Sequence, residues 1–210
     1  MRSRLIYVMD PMCSWCWGFA PVVQALIEQA RDKGVGAELV VGGLRQERTA
    51  MDAAARERTH SYWHAVHEAS GQPFNFEAGL PEGLVYDTEP ACRALVAARS
   101  LDAKSAWDLA GLIQRAFYVE GCDVTLAPEL VRLAELAGIP RIEFADRFDS
   151  QAVRDATAAD FDWARNLGIA GFPTLLAEHD GQLALVTNGY QPLESLSPLL
   201  ERWLEHNAHA

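Results

Sequence analysis

The sequence predicts an α/β protein in which one small sheet is split by a long, all-helical insertion. Three observations predict it. The first 45 residues read strand–helix–strand, residues 46 to 167 read as successive helices, and the close reads strand–strand–helix. The opening strand is LIYVM, Leu5–Met9, apolar with β-branched and aromatic members, ended by Asp10-Pro11. From about Ser14 to Lys33 the residues Trp17, Val22, Val23, Leu26, Ile27 and Ala30 fall at helical spacing. Pro21 lies inside that run and predicts a kink or a start nearer to it. Gly34 and Gly36 stop the helix, and AELVVGGL, Ala37–Leu44, reads as a second strand.

The insertion follows. AWDLAGLIQRAFYVEG has an apolar stripe ended at Gly121, and APELVRLAELAGIP repeats the pattern up to Gly138-Ile139-Pro140. Ser150 is an N-cap for a helix through DATAADFDWARNLG, with Gly168 as its left-handed end. This last helix leads back into the sheet-forming part, so the expected division is 1–45 with 168–210, and 46–167 between them. Thr174–Ala177 and Leu183–Thr187 flank the turn former Asp180-Gly181 and read as an antiparallel hairpin. An amphipathic helix from about Leu193 to His206 closes the chain.

With 29 acidic against 18 basic residues, the formal net charge is −11. Such a surface repels phosphate backbones, so nucleic acid is not an expected partner. No apolar run approaches the ~20 residues of a membrane helix. Leu5–Met9 is also shorter than the ~7–15 residues of a signal-peptide core, so the expected location is the cytoplasm. A reducing compartment directs attention to catalysis, metal or burial for the four cysteines, rather than to a disulfide framework.

The stretch MDPMCSWCWGF places Cys13 and Cys16 at the start of the first helix. Spacing of three brings both thiols to one side of a helix, near bonding distance. The free N–H groups and positive end of the helix favour a thiolate on the first cysteine. Cys13 is thus the candidate attacker and Cys16, one turn in, the candidate resolver of a mixed disulfide. A ribbon-type zinc site needs a second pair at similar spacing, and Cys92 and Cys122 stand thirty residues apart. Plain burial leaves the strand–motif–helix order unexplained, so the redox reading is preferred. GIAGFPTLLAE puts Pro173 at the entrance to a strand, a place where proline is tolerated.

DPMCSWCWGF, the long helical insertion with its EPACRALVAA and AFYVEG stretches, and GFPT before the last hairpin together resemble the DsbA family of thioredoxin-fold proteins, in its FrnE-like branch. The resemblance implies a thioredoxin fold with a helical domain inserted after the second strand, and thiol–disulfide exchange without a cofactor or metal. It implies that Phe172–Pro173 is cis beside Cys13, with the Phe172 backbone holding an incoming peptide and Ser14 and Trp15 in contact with substrate. The expected partners are cysteine-containing polypeptides or low-molecular-weight thiols, with a reductant or isomerase role in the cytosol. The chain departs from better-known relatives in its Ser14-Trp15 dipeptide, which lacks their histidine or proline. It has Tyr7 where they carry a buried acid six residues before the first cysteine, and Asp10 is the nearer carboxylate. Two rivals remain. One is a kappa-like glutathione-dependent transferase or isomerase, whose members typically have serine at the nucleophile position. The other is a polypeptide-binding protein without exchange chemistry.

His60, His64 and His67 share a helix face in THSYWHAVHE, where a polar face, metal ligation or a groove lining with Tyr62 and Trp63 are the readings. Cys92 reads as buried and Cys122 as a thiol exposed at a helix end, a second functional pair being the alternative. Trp15, Trp17 and Phe19 read either as an apolar rim for unfolded chain or as packing of helix on sheet. The glycines of GVG and VGG read as turn residues.

Overall fold

A computed structural model describes residues 3–207. The first strand, β1 (Ser3–Met9), pairs in parallel with β2 (Gly36–Val41) through the helix α1 (Ser14–Asp32). On its other side β1 pairs antiparallel with β5 (Thr174–His179), which continues by a hairpin into β6 (Gln182–Asn188), giving the order β2-β1-β5-β6. The hairpin turn has Asp180 at φ 48° and Gly181 at φ 81°, the paired positive angles that a two-residue turn between twisted strands requires. The closing helix is α8 (Leu193–Asn207).

Between β2 and β5 run β3 (Gln46–Ala50), α2 (Ala53–Ser70), β4 (Val85–Asp87), α3 (Glu89–Leu101), α4 (Ala103–Tyr118), α5 (Ala127–Leu136), α6 (Arg141–Asp149) and α7 (Gln151–Asn166). Among the described residues this makes a mixed α/β thioredoxin-like fold dominated by its inserted helices. The insertion is helical apart from the short antiparallel β3–β4 pair. Those strands lack the apolar run by which a strand is read from sequence: QERTA is exposed throughout, and VYD is three residues long.

Alternation along β1 places its side chains in two cores. Leu5, Tyr7 and Met9 join Phe19, Val23 and Leu26 of α1 and Leu196, Leu200 and Leu204 of α8. Ile6 and Val8 face the other way, onto Val40, Leu176 and Ala164 of α7. Ser150 caps α7 by accepting from the Val153 amide at 3.2 Å, and Gly168 follows the helix at φ 75°.

The helix α1 runs unbroken through Pro21 rather than starting near it. Proline has no N–H, so the Trp17 carbonyl four residues back loses its partner within the helix. The Gln72 side-chain Nε2, from the segment after α2, donates to that carbonyl at 2.9 Å. Contact between the helices is close, since a methyl group on Gly18 would stand 2.7 Å from Val66 Cγ1 of α2.

The strand β2 lies at the sheet edge, and the insertion closes it. Arg99 of α3 donates to the Leu39 carbonyl at 2.6 Å and to Asp160 of α7 at 2.8 and 3.0 Å. Asp160 in turn accepts from the Val41 amide at 3.0 Å. Two side chains therefore satisfy the outward backbone groups of an edge strand. Replacing Asp160 by Ala strands both the Arg99 guanidinium and the Val41 amide. It is expected to cost about 2–3 kcal/mol in urea unfolding. A loss below about 0.5 kcal/mol, the scale of an ordinary surface substitution, would show that the clamp is dispensable.

Candidate dithiol site

The site forms where β1 ends. Asp10-Pro11-Met12 turns the chain into α1, with the Cys13 amide bonded to the Asp10 carbonyl at 3.0 Å. Cys13 is the N-cap residue of α1, at φ −87° and ψ 117°, with no acidic residue in the first helical turn. Its carbonyl receives the Cys16 and Trp17 amides at 3.0 and 3.1 Å, which starts the helix and sets Cys16 one turn in. Cys16 is fully buried, whereas Cys13 keeps 6% of its surface exposed. All four cysteines are free thiols in this structure.

The Phe172–Pro173 peptide is cis, and the Cys13 thiol donates to the Phe172 carbonyl at 3.5 Å. The hairpin holds this corner. The Gly189 amide donates to the Pro173 carbonyl at 2.7 Å, and the Thr174 hydroxyl donates to the Gly171 carbonyl at 2.9 Å. Opposite, Gly42 makes room for the Phe172 ring, because a Cβ there would lie 2.1 Å from two ring carbons. The first glycine of VGG is thus a packing position, and only Gly43, at φ 69°, serves the turn. The strand β2 ends at Val41, three residues before the expected Leu44, and the chain turns at Gly43.

Burial pushes the Cys16 thiol well above the ordinary range, and the neighbouring Cys13 thiol, by hydrogen bonding and by charge, pushes it further. Burial likewise raises Asp10, although the Thr88, Leu44, Met12 and Cys92 donors oppose it. The Tyr7 ring stacks on Trp107 at 5.9 Å and adjoins Phe19 at 6.1 Å. Desolvation, then the charges of Cys16 and Cys13, raise the Tyr7 hydroxyl well above the usual phenol range.

Ser14 and Trp15 open α1, both half-buried, and Trp15 leans on Tyr190 at 5.8 Å. Trp17 and Phe19 are packing residues. Trp17 bonds the Pro73 carbonyl at 2.9 Å and stacks on Tyr118, while Phe19 is fully buried. The histidines engage aromatic neighbours: His60 stacks on Trp63 at 5.4 Å, and His64 lies flat on Phe76 at 4.0 Å. His67 meets the Phe76 edge and the Gln72 carbonyl. Among the described residues no cluster of three His, Cys, Asp or Glu is placed to hold a metal. Nor is any described helix long and apolar enough to cross a membrane.

Two participants were not assigned to the site from sequence. Tyr86, in the unread strand β4, donates its hydroxyl to the Met12 carbonyl. Cys92 of α3, read as a buried thiol with a second functional pair as the alternative, donates to Asp10 Oδ2 at 3.3 Å. No local pattern announces either contact, since the partners lie 74 and 82 residues apart. Cys122 is half-buried near Glu129, away from this arrangement, and burial followed by that carboxylate raises its thiol.

A four-stranded sheet, a two-cysteine helix start and a cis-proline opposite the first sulfur define a thioredoxin-fold protein with a dithiol site. The model of the DSBA-like thioredoxin domain matches residues 4–201, and the chain belongs to that family. A candidate protein disulfide isomerase from Nitrosomonas europaea shares 39% identity and superposes with a TM-score of 0.92, over 98% of this chain and 99% of that one. The cytosolic disulfide reductase DsbM from Pseudomonas aeruginosa is 28% identical, with a TM-score of 0.81 over 97% and 99% of the two chains. DsbM has also been solved with GSH, matching at a TM-score of 0.77 and 28% identity over 96% and 99% of the chains. Among curated proteins, the ClpXP adapter protein SpxH of Halalkalibacterium halodurans is 21% identical over 202 residues, 93% of this chain but 66% of SpxH.

The raised thiols set a pH dependence in the reduced protein. In the unfolded chain Cys16 and Cys92 ionise near the ordinary ~8.5, whereas in the fold they stay protonated to higher pH. The unfolded state therefore loses protons first, and stability falls as pH rises above about 8.5, by up to ~1.4 kcal/mol per pH unit for each thiol. Denaturant melts between about pH 8 and 10 are expected to show this slope, reduced by one thiol's share in Cys16→Ala. A flat profile would show that burial of these thiols does not govern alkaline stability.

Proposed function

We propose that this chain is a cytosolic thiol–disulfide oxidoreductase, with residues 1–45 and 168–210 as its thioredoxin-like unit and 46–167 as the inserted domain. Cys13 is the nucleophile and Cys16 the resolving thiol. The observation that carries the reading is the meeting of three features at one atom. The Cys13 sulfur stands at the N-cap of α1, 3.5 Å from the carbonyl preceding Pro173, with Cys16 buried one turn behind it.

Cys13 stands at the N-cap of α1, beside backbone amides that have no partner within the helix. The Cys13 thiolate attacks one sulfur of a substrate disulfide, forming a mixed disulfide and expelling the other sulfur as a thiolate. Cys16 then gives its proton to the thiolate expelled in the first step and attacks the Cys13 sulfur, expelling the second substrate thiolate and closing Cys13–Cys16. Two electrons pass from the protein dithiol to the substrate, and two external thiols, or one external dithiol, must return them.

The Cys16 environment orders these steps. Desolvation opposes its ionisation in both steps, but the additional influence of the Cys13 thiol disappears once that sulfur is in a mixed disulfide. Cys16 is thus more readily deprotonated after capture than before it. In the cis-proline corner, the Phe172 backbone offers a peptide edge beside the sulfur, flanked by Ser14 and Trp15. Cysteine-containing polypeptides or low-molecular-weight thiols are the proposed partners. The DsbM relative, described as a cytosolic disulfide reductase and solved with GSH, supports this direction and location.

Equilibration in graded glutathione buffers, quenched by alkylation and read by mass, tests the reading. A reversible two-electron Cys13–Cys16 transition is expected. Cys16→Ser should accumulate a Cys13–glutathione adduct, and Cys13→Ser should abolish exchange. Full turnover in Cys16→Ser would favour a glutathione-dependent transferase or isomerase. Full biological activity with both cysteines replaced would favour a binding protein.

A further inference from the structure

We propose that Cys92, acting through the Asp10 carboxylate, is a positioning residue for Cys13, so that the inserted helix α3 sets the geometry of the dithiol loop from behind. The inference rests on Cys13 being the nucleophile, as proposed above.

Asp10 stands three residues before Cys13 and is completely buried. A carboxylate without water needs a donor for each lone pair it exposes to the interior. Oδ1 accepts from the Met12 amide at 2.8 Å, within the dithiol loop itself. Oδ2 accepts from the Leu44 amide at 2.7 Å and from the Cys92 thiol at 3.3 Å. One carboxylate therefore ties together three segments: the loop that presents Cys13, the turn after β2 and the insertion.

Both anchored segments shape the site. Met12 is gripped twice, by Asp10 at its amide and by the Tyr86 hydroxyl at its carbonyl, and the next residue is Cys13. The turn ending at Leu44 begins with Gly42, the residue against which the Phe172 ring packs. Movement of Asp10 thus shifts the Cys13 sulfur and the wall behind Phe172 together. The thiol itself is fixed on the insertion side, where the Cys92 amide bonds the Thr88 carbonyl at 2.9 Å and the Thr88 amide bonds the Arg45 carbonyl at 2.9 Å. Deleting the S–H group removes the donor by which α3 holds Oδ2, leaving the Leu44 amide and the nearby Thr88 hydroxyl to serve the buried oxygen, so the carboxylate is less firmly fixed from the insertion side.

The test compares Cys92→Val, close in volume but with no donor, with Cys92→Ser, which keeps a donor. Amide hydrogen exchange at Met12 and Leu44 reports the anchor, and iodoacetamide alkylation of Cys13 at pH 7, mapped by mass, reports the sulfur. In Cys92→Val both amides are expected to exchange about tenfold faster, with a change of at least about threefold in Cys13 alkylation. Cys92→Ser should return both toward the wild-type values. Unchanged amide exchange in Cys92→Val overturns the proposal, as does faster exchange with unaltered alkylation, or equal behaviour of the Val and Ser variants. If Cys92→Val does not fold, Asp10→Asn is read by the same two measurements, with the same expectation and the same reversal. A wild type that forms no Cys13–Cys16 disulfide defeats the proposed function alone, because the amide and alkylation results decide the positioning role independently.

Discussion

The turn from β1 into α1 carries Cys13, 6% exposed, over polar groups that are buried, and the surrounding structure supplies their partners. Asp10, Met12 and Cys13 span the turn. Their backbone groups are met by the Asp10 carboxylate, the Tyr86 hydroxyl and the first turn of α1. A buried group left without a partner costs ~1–3 kcal/mol, comparable with a sizeable part of a domain's net stability. The dithiol loop is therefore an over-determined element rather than a flexible one, and much of what determines it comes from the insertion.

That dependence changes how the insertion is understood. A four-stranded sheet has two edges, and here the β2 edge is completed by Arg99 and Asp160 from α3 and α7. The gap that Pro21 opens in α1 is filled by Gln72. An aromatic cluster of Trp63, Phe74, Phe117 and Tyr118 joins the insertion core to Trp17, four residues beyond Cys13. The inserted helices supply hydrogen-bond partners and apolar surface that so small a sheet does not provide for itself.

Asymmetry between the two cysteines follows from position alone. Three residues of helix carry the chain from the N-cap, where free amides meet the surface, to a fully buried site beneath it. The same step takes the chain into an environment whose desolvation keeps the Cys16 thiol in its protonated form. Tyr7, at the level where better-known relatives carry an acid, adds a desolvated hydroxyl and no charge at neutral pH. Asp10 is the buried carboxylate of this site, and its donors oppose the effect of its burial.

Local features were legible in the sequence because their causes are local. The strand LIYVM, the capped helix from Ser150 to Gly168 and the Asp180-Gly181 turn are each set by periodicity or by backbone preferences within a few residues. The Cys13-x-x-Cys16 spacing belongs with them, since one helical turn fixes which side both thiols face. The strands β3 and β4 were not legible, because QERTA and VYD are held by pairing with each other and have no apolar pattern of their own. Gly42 read as a turn residue because the ring it accommodates comes from Phe172, 130 positions later in the chain. Cys92 read as a buried thiol, without its role beside Asp10, because the carboxylate it meets is 82 residues away. The sequence by itself determined the locally patterned strands and helices, though not β3 and β4, and the pair of sulfurs at the head of a helix. Only the tertiary structure decided which distant side chains hold those sulfurs in place, because burial and hydrogen-bond pairing across the fold are properties of the assembled chain.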